Sequence, residues 1–420
     1  MKSLRLAALP LLFAAVLSSA QAAPDPYAAR IAKLLKSTPL IDGHNDWPEA
    51  LAYKARGQRW SMDLNRLDPA IYHTDIERLR AGGIGGQFWS VWVSAEKPGL
   101  QQVKDTLEQI EFVHGLARRY PRQFQLATTA AEVRAAHKAG RIASMIGVEG
   151  GGQIDGSMAV LRAYRDLGAS YLTLTHSRTI AWADAATDNP RHDGLAPFGE
   201  AVVRELNRLG MLVDLSHVSE ATMLDALRVS RAPVIFSHSN ARALCDTPRN
   251  VSDAVLRQVA ANGGVVMVNF AAQYVSEARR RWNADRSAEV ARNNAPPFGG
   301  LHIGDPEAAK QALAQWEKAH PAPVTTIGQV ADHVDHIAQV AGVDHVGIGS
   351  DFDGVGALPE GLGGVDRYPA LFAELMQRGW SDADLAKLAG GNVLRVMAAA
   401  EKVAAGLKDE PAGNGPAETP

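Results

Sequence analysis

The sequence predicts a (β/α)8 barrel of the TIM type, and three observations carry that expectation. Eight short β-branched or aliphatic runs recur along the chain, and helical periodicity fills most of the intervals between them. The later runs are almost continuously apolar, as strands covered by helices on both faces are. Histidines and acids gather at the C-terminal ends of the runs, the face on which such barrels build their sites. A doubly wound open sheet shares the alternation, but it does not easily bring strand ends from both halves of a chain to one point.

Taken in order, residues 24–36 are amphipathic and read as a leading helix that delivers the chain to Leu40-Ile41-Asp42-Gly43-His44-Asn45-Asp46. In an extended strand, residues i and i+2 face the same way, so His44 and Asp46 are placed to grip one ion. Residues 63–74 read as a loop. Gly82-Gly83-Ile84-Gly85-Gly86 then leads into the run ending at Val93. These glycines precede a strand and match neither a dinucleotide nor a phosphate loop, so they mark close backbone packing. A helix over 103–117 comes before the run from Ile142 to Glu149, and a helix over 158–167 before the run from Ser170 to His176. A polar loop over 178–197 and a helix over 199–209 lead to the run that ends Asp214-Leu215-Ser216-His217. Ser219 is placed to cap a helix reaching Leu227, and Val234 to Phe236 passes into Ser237-His238. A loop holding Arg249 follows, then a helix capped by Ser252, the run 264–270, a helix over 327–341 and the run 346–351.

Residues 276–322 interrupt the last crossover. They are polar, contain Pro296-Pro297 and read as partly helical, an excursion on the barrel rim that serves as a lid or as an oligomer contact compatible with a homodimer. A single catalytic barrel is expected over 24–400, and the Gly-, Pro-, Glu- and Ala-rich residues 401–420 read as a disordered tail. At the other end, Lys2 and Arg5, an apolar stretch over 6–17 and an Ala20-Gln21-Ala22 cleavage pattern read as an export signal over 1–22, with a periplasmic or secreted product. The apolar part is too short to span a bilayer, and no transmembrane segment follows it. With 46% hydrophobic and 21% charged residues the chain can build a substantial core. A formal charge of -3 without a dense basic tract argues against nucleic acid as a partner. The only cysteine, Cys245, has no internal partner for a disulfide.

The chemistry concentrates in His44, Asp46, Glu149, His217 and His238, imidazoles and carboxylates of the kind that hold hard or borderline cations. Three histidines and two carboxylates exceed one closed tetrahedral zinc site, and they suit two ions sharing a bridging carboxylate. His333 and His336 flank the apolar stripe of Val330, Val334, Ile337 and Ala341 and read as helix-flank residues. Asp351 and Asp353 compete for one acidic role, Arg242 and Arg249 for one cationic role. Trp89, Trp92 and Trp182 are placed to line a pocket or to pack in the core. No G-x-S-x-G elbow or Ser-His-Asp order points to a serine hydrolase.

The stretches DGHNDWP, GGIGGQFWSVWV, IGVEGG, YLTLTHS, GMLVDLSHVS, APVIFSHS, RNVSD, ADHVDHI and GIGSDFDGV resemble, in order from about Leu40 to about Met397, the membrane dipeptidase (renal dipeptidase) family of zinc metallopeptidases among the amidohydrolase-like barrels. The resemblance implies two zinc ions per chain, His44 and Asp46 on one, His217 and His238 on the other, and Glu149 bridging. It further implies His176 as a contact to substrate and transition state, Arg249 as the cation that binds substrate, and Asp351 as the proton-transfer group. Expected from it is hydrolysis of dipeptides with a free C-terminal carboxylate, a D-residue at the second position included, by a hydroxide held between the metals. Where the family carries a histidine after the GVEGG run this chain has Gly152, and Arg178-Thr179-Ile180-Ala181 stands in place of Cys-Asn-Thr-Pro. Both departures bear on substrate preference. Two other readings stand beside this one: a hydrolase of another small amide, lactam or lactone, and an exported metal-dependent binding protein without turnover.

Overall fold

The computed structural model describes residues 26–55, 57–295 and 299–413. The expected export signal, Pro296-Pro297 and the end of the expected tail lie outside them. Nine parallel strands form the sheet: β1 (Leu40–Asn45), β2 (Ile84–Trp92), β3 (Phe124–Leu126), β4 (Ile142–Glu149), β5 (Ala169–Thr173), β6 (Leu212–Asp214), β7 (Ile235–Phe236), β8 (Val265–Val268) and β9 (Val346–Ile348). All but β3 close a ring, because β2 pairs with β1 on one side and with β4 on the other, Gly86 opposite Ala143 through Trp92 opposite Glu149. This is the expected (β/α)8 barrel. The short β3 is an addition the sequence reading lacks. It pairs with β4 only over Ile142 to Ser144, below the point where β5 takes up the same edge at Ile146.

The helices form where periodicity and caps agree. Ser219 and Ser252 each accept a hydrogen bond from the backbone N–H three residues on, and Thr326 builds a capping box with Gln329 at the head of the Ile327–Ala341 helix. Between strands and helices lies one large apolar layer, while Met145, Tyr171, Ile235 and Met267 belong to a second buried cluster. Met145 stands four residues before Glu149 on the same face of β4, so this cluster carries the centre from below.

Two expectations change. The helix Asn392–Leu407 runs on past Ala400, so residues 401–407 are not a tail; Gly413 then donates its N–H to Glu205 at 2.9 Å. Arg208 and Arg162 also hold Glu205, and although burial opposes them, these bonds bring its carboxyl down to about 2. The excursion over 276–322 is mostly helical, Glu277–Asn294 and Pro306–Ala319, with Trp282 tilted against Trp316 and Arg286 paired to Glu317. Only Asn293 and Ala309 of the two helices are buried, and the Glu277–Asn294 helix shows no amphipathic stripe.

Candidate metal centre

The five expected ligands converge at the C-terminal mouth of the barrel. His44 lies within β1, and its Nε2 is 3.4 Å from Asp46 Oδ2 and 3.4 Å from Glu149 Oε2. Glu149 closes β4, and its Oε1 stands 3.1 Å from His217 Nε2 and 3.4 Å from His238 Nε2. The two imidazole nitrogens approach each other to 2.9 Å. The route to this meeting differs from the strand argument. Asp46 is not extended but begins the helix Trp47–Lys54, with φ -89° and ψ 19°. His176, His217, His238 and Asp351 all lie beyond their strands, which end at Thr173, Asp214, Phe236 and Ile348. His217 and Asp351 take positive φ of 69° and 65°, a region that costs a β-carbon energy and turns both side chains in a way a strand would not.

Neighbouring hydroxyls orient the imidazoles from behind. Tyr171 OH meets His44 Nδ1 at 2.9 Å, and Ser237 Oγ meets His238 Nδ1 at 2.8 Å. Ser90 Oγ donates to Glu149 Oε2 at 3.1 Å. Partners of this kind fix which ring nitrogen faces a metal. A β-carbon at Gly147 would run into the Tyr171 phenol, so that glycine makes the arrangement sterically open. Sequence reasoning had no role for Tyr171, Ser237 or Ser90. Their signal is position: each lies next to a ligand, or on a strand neighbouring one.

Electrostatics separates the ligands. Burial works against ionised Glu149, but the fields of His44 and His176 and the bonds of His217 and His238 outweigh it and hold the carboxyl well below its usual range. Burial, with Arg249 and the other imidazoles, pushes His217 and His238 well below the normal histidine range, into the neutral form that ligates metal. His44 moves the other way: burial lowers it, yet Tyr171, Glu149 and Asp46 raise it further. Because burial keeps the Tyr171 phenol protonated, the two carboxylates are the partners that matter. His44 Nε2 is buried without a hydrogen-bond partner and faces both of them. A cation is what this donor set lacks. His44, Glu149 and His238 form one set with ligand atoms within 4.8 Å of one another; Glu149, His176 and His217 form another, and His44, Asp46 and Asp351 a third.

The centre floors a cavity of about 340 Å³, within the range of small-ligand sites. Arg249, only 2% exposed, lines it, and its guanidinium lies over the Tyr274 ring. That guanidinium reaches only Ser239 Oγ and the His238 carbonyl, at 3.5 and 3.4 Å, and its Nε has no partner. Arg242 is occupied by Asp246 and Glu220. Asp351 and Asp353 both line the cavity. Burial first, then the negative Asp46 and Glu149, pushes Asp351 well above the carboxylate range, with Asn269 donating to it at 2.7 Å. Burial brings Asp353 to about 6, and its Oδ1 is taken by the His73 N–H. Trp92 lines the cavity, whereas Trp89 and Trp182 belong to the core. His333 is buried between the Ala241 N–H and the Val275 carbonyl, away from the centre. Among the described residues, neither Gly152 nor 178–181 lines the cavity; Gly152 packs against Gln102, and Arg178 pairs with Glu96 on the surface.

The membrane dipeptidase family, peptidase family M19, matches residues 28–411. Among solved structures, the chain is similar to the probable dipeptidase PvdM from Pseudomonas aeruginosa, at 26% identity and a TM-score of 0.75 over 89% of this chain and 98% of that one. It is also similar to a metallopeptidase from Rhodobacter sphaeroides liganded with a phosphinate mimic of the dipeptide L-Ala-D-Ala, at 25% identity and a TM-score of 0.70, covering 86% of this chain and 99% of that one.

Proposed function

Since the chain belongs to the membrane dipeptidase family, and is thereby a metal-dependent hydrolase, we propose that it is a binuclear zinc dipeptidase that cuts dipeptides with a free C-terminal carboxylate, a D-residue at the second position included. The observation that carries this reading is Arg249: a buried guanidinium, without a carboxylate partner among the described residues, on the wall of the cavity that holds the ligand cluster. A bidentate pair with the substrate's terminal carboxylate supplies the missing anion and places the scissile carbonyl over the centre. The dipeptide mimic bound by the Rhodobacter sphaeroides relative supports a substrate of this size and stereochemistry.

His44 and Asp46 would hold one ion, His217 and His238 the other, and Glu149 both. Zinc bound there supplies Lewis acidity toward the carbonyl and an acidified water. Burial keeps His176 neutral, although Glu149 pulls the other way, so it offers an N–H to the carbonyl oxygen as that atom gains charge. Asp351, held by Asn269 and raised in pKa, takes the proton that the attacking water gives up. It passes the proton to the leaving nitrogen as the C–N bond breaks, so both products are released without a covalent link to the enzyme. Export through the leader read at 1–22 belongs to the same reading.

Arg249→Ala tests it on paired substrates. Against dipeptides with a free carboxylate, kcat/KM should fall by roughly 2–5 kcal/mol, while the C-terminal amides, poor substrates from the start, should change little. Equal losses on acid and amide would make Arg249 structural. Turnover of lactams or lactones with dipeptides untouched would replace the dipeptidase reading with the other hydrolase.

A further inference from the structure

The cavity wall carries a second charged group with no counterpart among the described residues. Glu49 lies in the first turn of the Trp47–Lys54 helix, three residues past the ligand Asp46, and is half-buried. It lines the metal cavity and, with Trp92, a neighbouring cavity of about 240 Å³. It makes neither a hydrogen bond nor an ion pair with any described residue. The nearby cations are engaged elsewhere: Lys54 donates to the Ile71 carbonyl at 2.9 Å, Lys97 pairs with Asp105 at 2.7 Å, and Arg59 donates to the Glu108 carbonyl at 3.3 Å and lies over the Phe112 ring. Among the described residues it also stands outside every set placed to hold a metal.

We propose that the Glu49 carboxylate anchors the free α-ammonium of the substrate's first residue, so that the cavity reads a dipeptide at both charged ends. The inference rests on the dipeptidase reading of the site. In a dipeptide the ammonium is borne by the carbon attached to the carbonyl that is cut, so whatever binds it must flank the ligand cluster. Glu49 does, since it lines the same cavity as Asp46, Glu149 and Arg249; burial first, then Asp46 and Glu149, raise its carboxyl to about 7 although Lys54 and Lys97 oppose them. Arg249 follows β7 and Glu49 follows β1, three strands apart around a closed ring of eight, with β8 and β9 between them. Carboxylate and ammonium would thus be held on well-separated walls with the scissile bond between, a spacing that an N-acylated amino acid satisfies at one end only.

The test compares alanyl-D-alanine with N-propionyl-D-alanine, which lacks only the amine, using zinc-loaded protein. Wild type should favour the amine-bearing substrate by about 100-fold in kcat/KM, and Glu49→Gln should lose about 30-fold or more on it while changing about threefold or less on the propionyl compound. Glu49→Asp should recover part of the loss, and metal content and Tm should stay at wild-type values in Glu49→Gln. Equal kcat/KM of wild type on the two substrates overturns the proposal whatever the variants do. Parallel losses in Glu49→Gln also overturn it, since they make Glu49 a support of the centre. If wild type cuts neither compound nor any other dipeptide, the dipeptidase reading fails and this inference falls with it.

Discussion

Asp42 stands two residues before His44 on β1, and Asp214 three residues before His217, yet the two aspartates are treated differently from the carboxyl groups of the centre. Asp42 accepts from Ser350 N–H at 2.7 Å, Ser350 Oγ at 2.8 Å, Tyr368 OH at 2.7 Å and Gln87 Nε2 at 3.0 Å. Asp214 accepts from Ser237 N–H and Oγ, Thr173 Oγ1 and Ser216 N–H, all within 3.1 Å. Both are fully buried, and these neutral donors tie neighbouring strand ends into a girdle. Glu149, by contrast, has one hydroxyl donor, Ser90, and otherwise faces imidazoles, while Asp351 has Asn269 alone. A carboxylate saturated with donors is scaffold; one left unsaturated among imidazoles is held ready for a cation or a proton. Strain follows the same division: of five non-glycine residues with positive φ among the described residues, His217, Asp351 and Asp353 are at the centre.

The division can be broken by experiment. Asp351→Asn keeps the shape of the side chain but removes the proton acceptor, and turnover should fall by about 10²–10⁴-fold with metal content and stability unchanged. A loss below about tenfold would move the role to another group, Asp353 first among them. Asp42→Ala should do the reverse. Leaving five donors, the His44 N–H included, without their acceptor should cost roughly 2–5 kcal/mol of unfolding free energy by denaturant titration, while the folded, metal-loaded fraction turns over near the wild-type rate. If Asp42→Ala instead abolished turnover at full stability, girdle and centre would not be separable. Ser237 sits on the boundary, bound to Asp214 on one side and to His238 Nδ1 on the other. Ser237→Ala should therefore weaken metal affinity by about 10–100-fold, read by competition with a chelator, with a smaller effect on stability than Asp42→Ala.

Much of this was legible in the sequence, for reasons particular residues show. The barrel declared itself because long strands such as Ile142–Glu149 are buried throughout and mostly apolar, and the Ile327–Ala341 helix carries a continuous apolar stripe. The strand β3 escaped notice because three residues show no period, and the extension to Leu407 because its alanines resemble low-complexity chain. The candidate ligands were legible as strand-end histidines and acids, but their bearings were not. His217 and Asp351 reach the centre through left-handed backbone that no period encodes, and Asp46 through a helix start. Tyr171 had no role in the sequence reading, because only the fold brings its hydroxyl to His44, 127 positions away in the chain. Glu49 was not singled out, since nothing in the sequence says that a helix begins after Asp46 at the lip of the cavity.

The account's central claim is that one set of five ligands holds two ions with Glu149 between them. Metal-free protein titrated with zinc, with activity toward a dipeptide and elemental content measured at every step, tests it most directly. Activity should rise until about two equivalents are bound and then stop, and Glu149→Gln should bind less metal and remain inactive across the titration. Full activity at one bound equivalent, or a fully active Glu149→Gln protein, would contradict the binuclear centre.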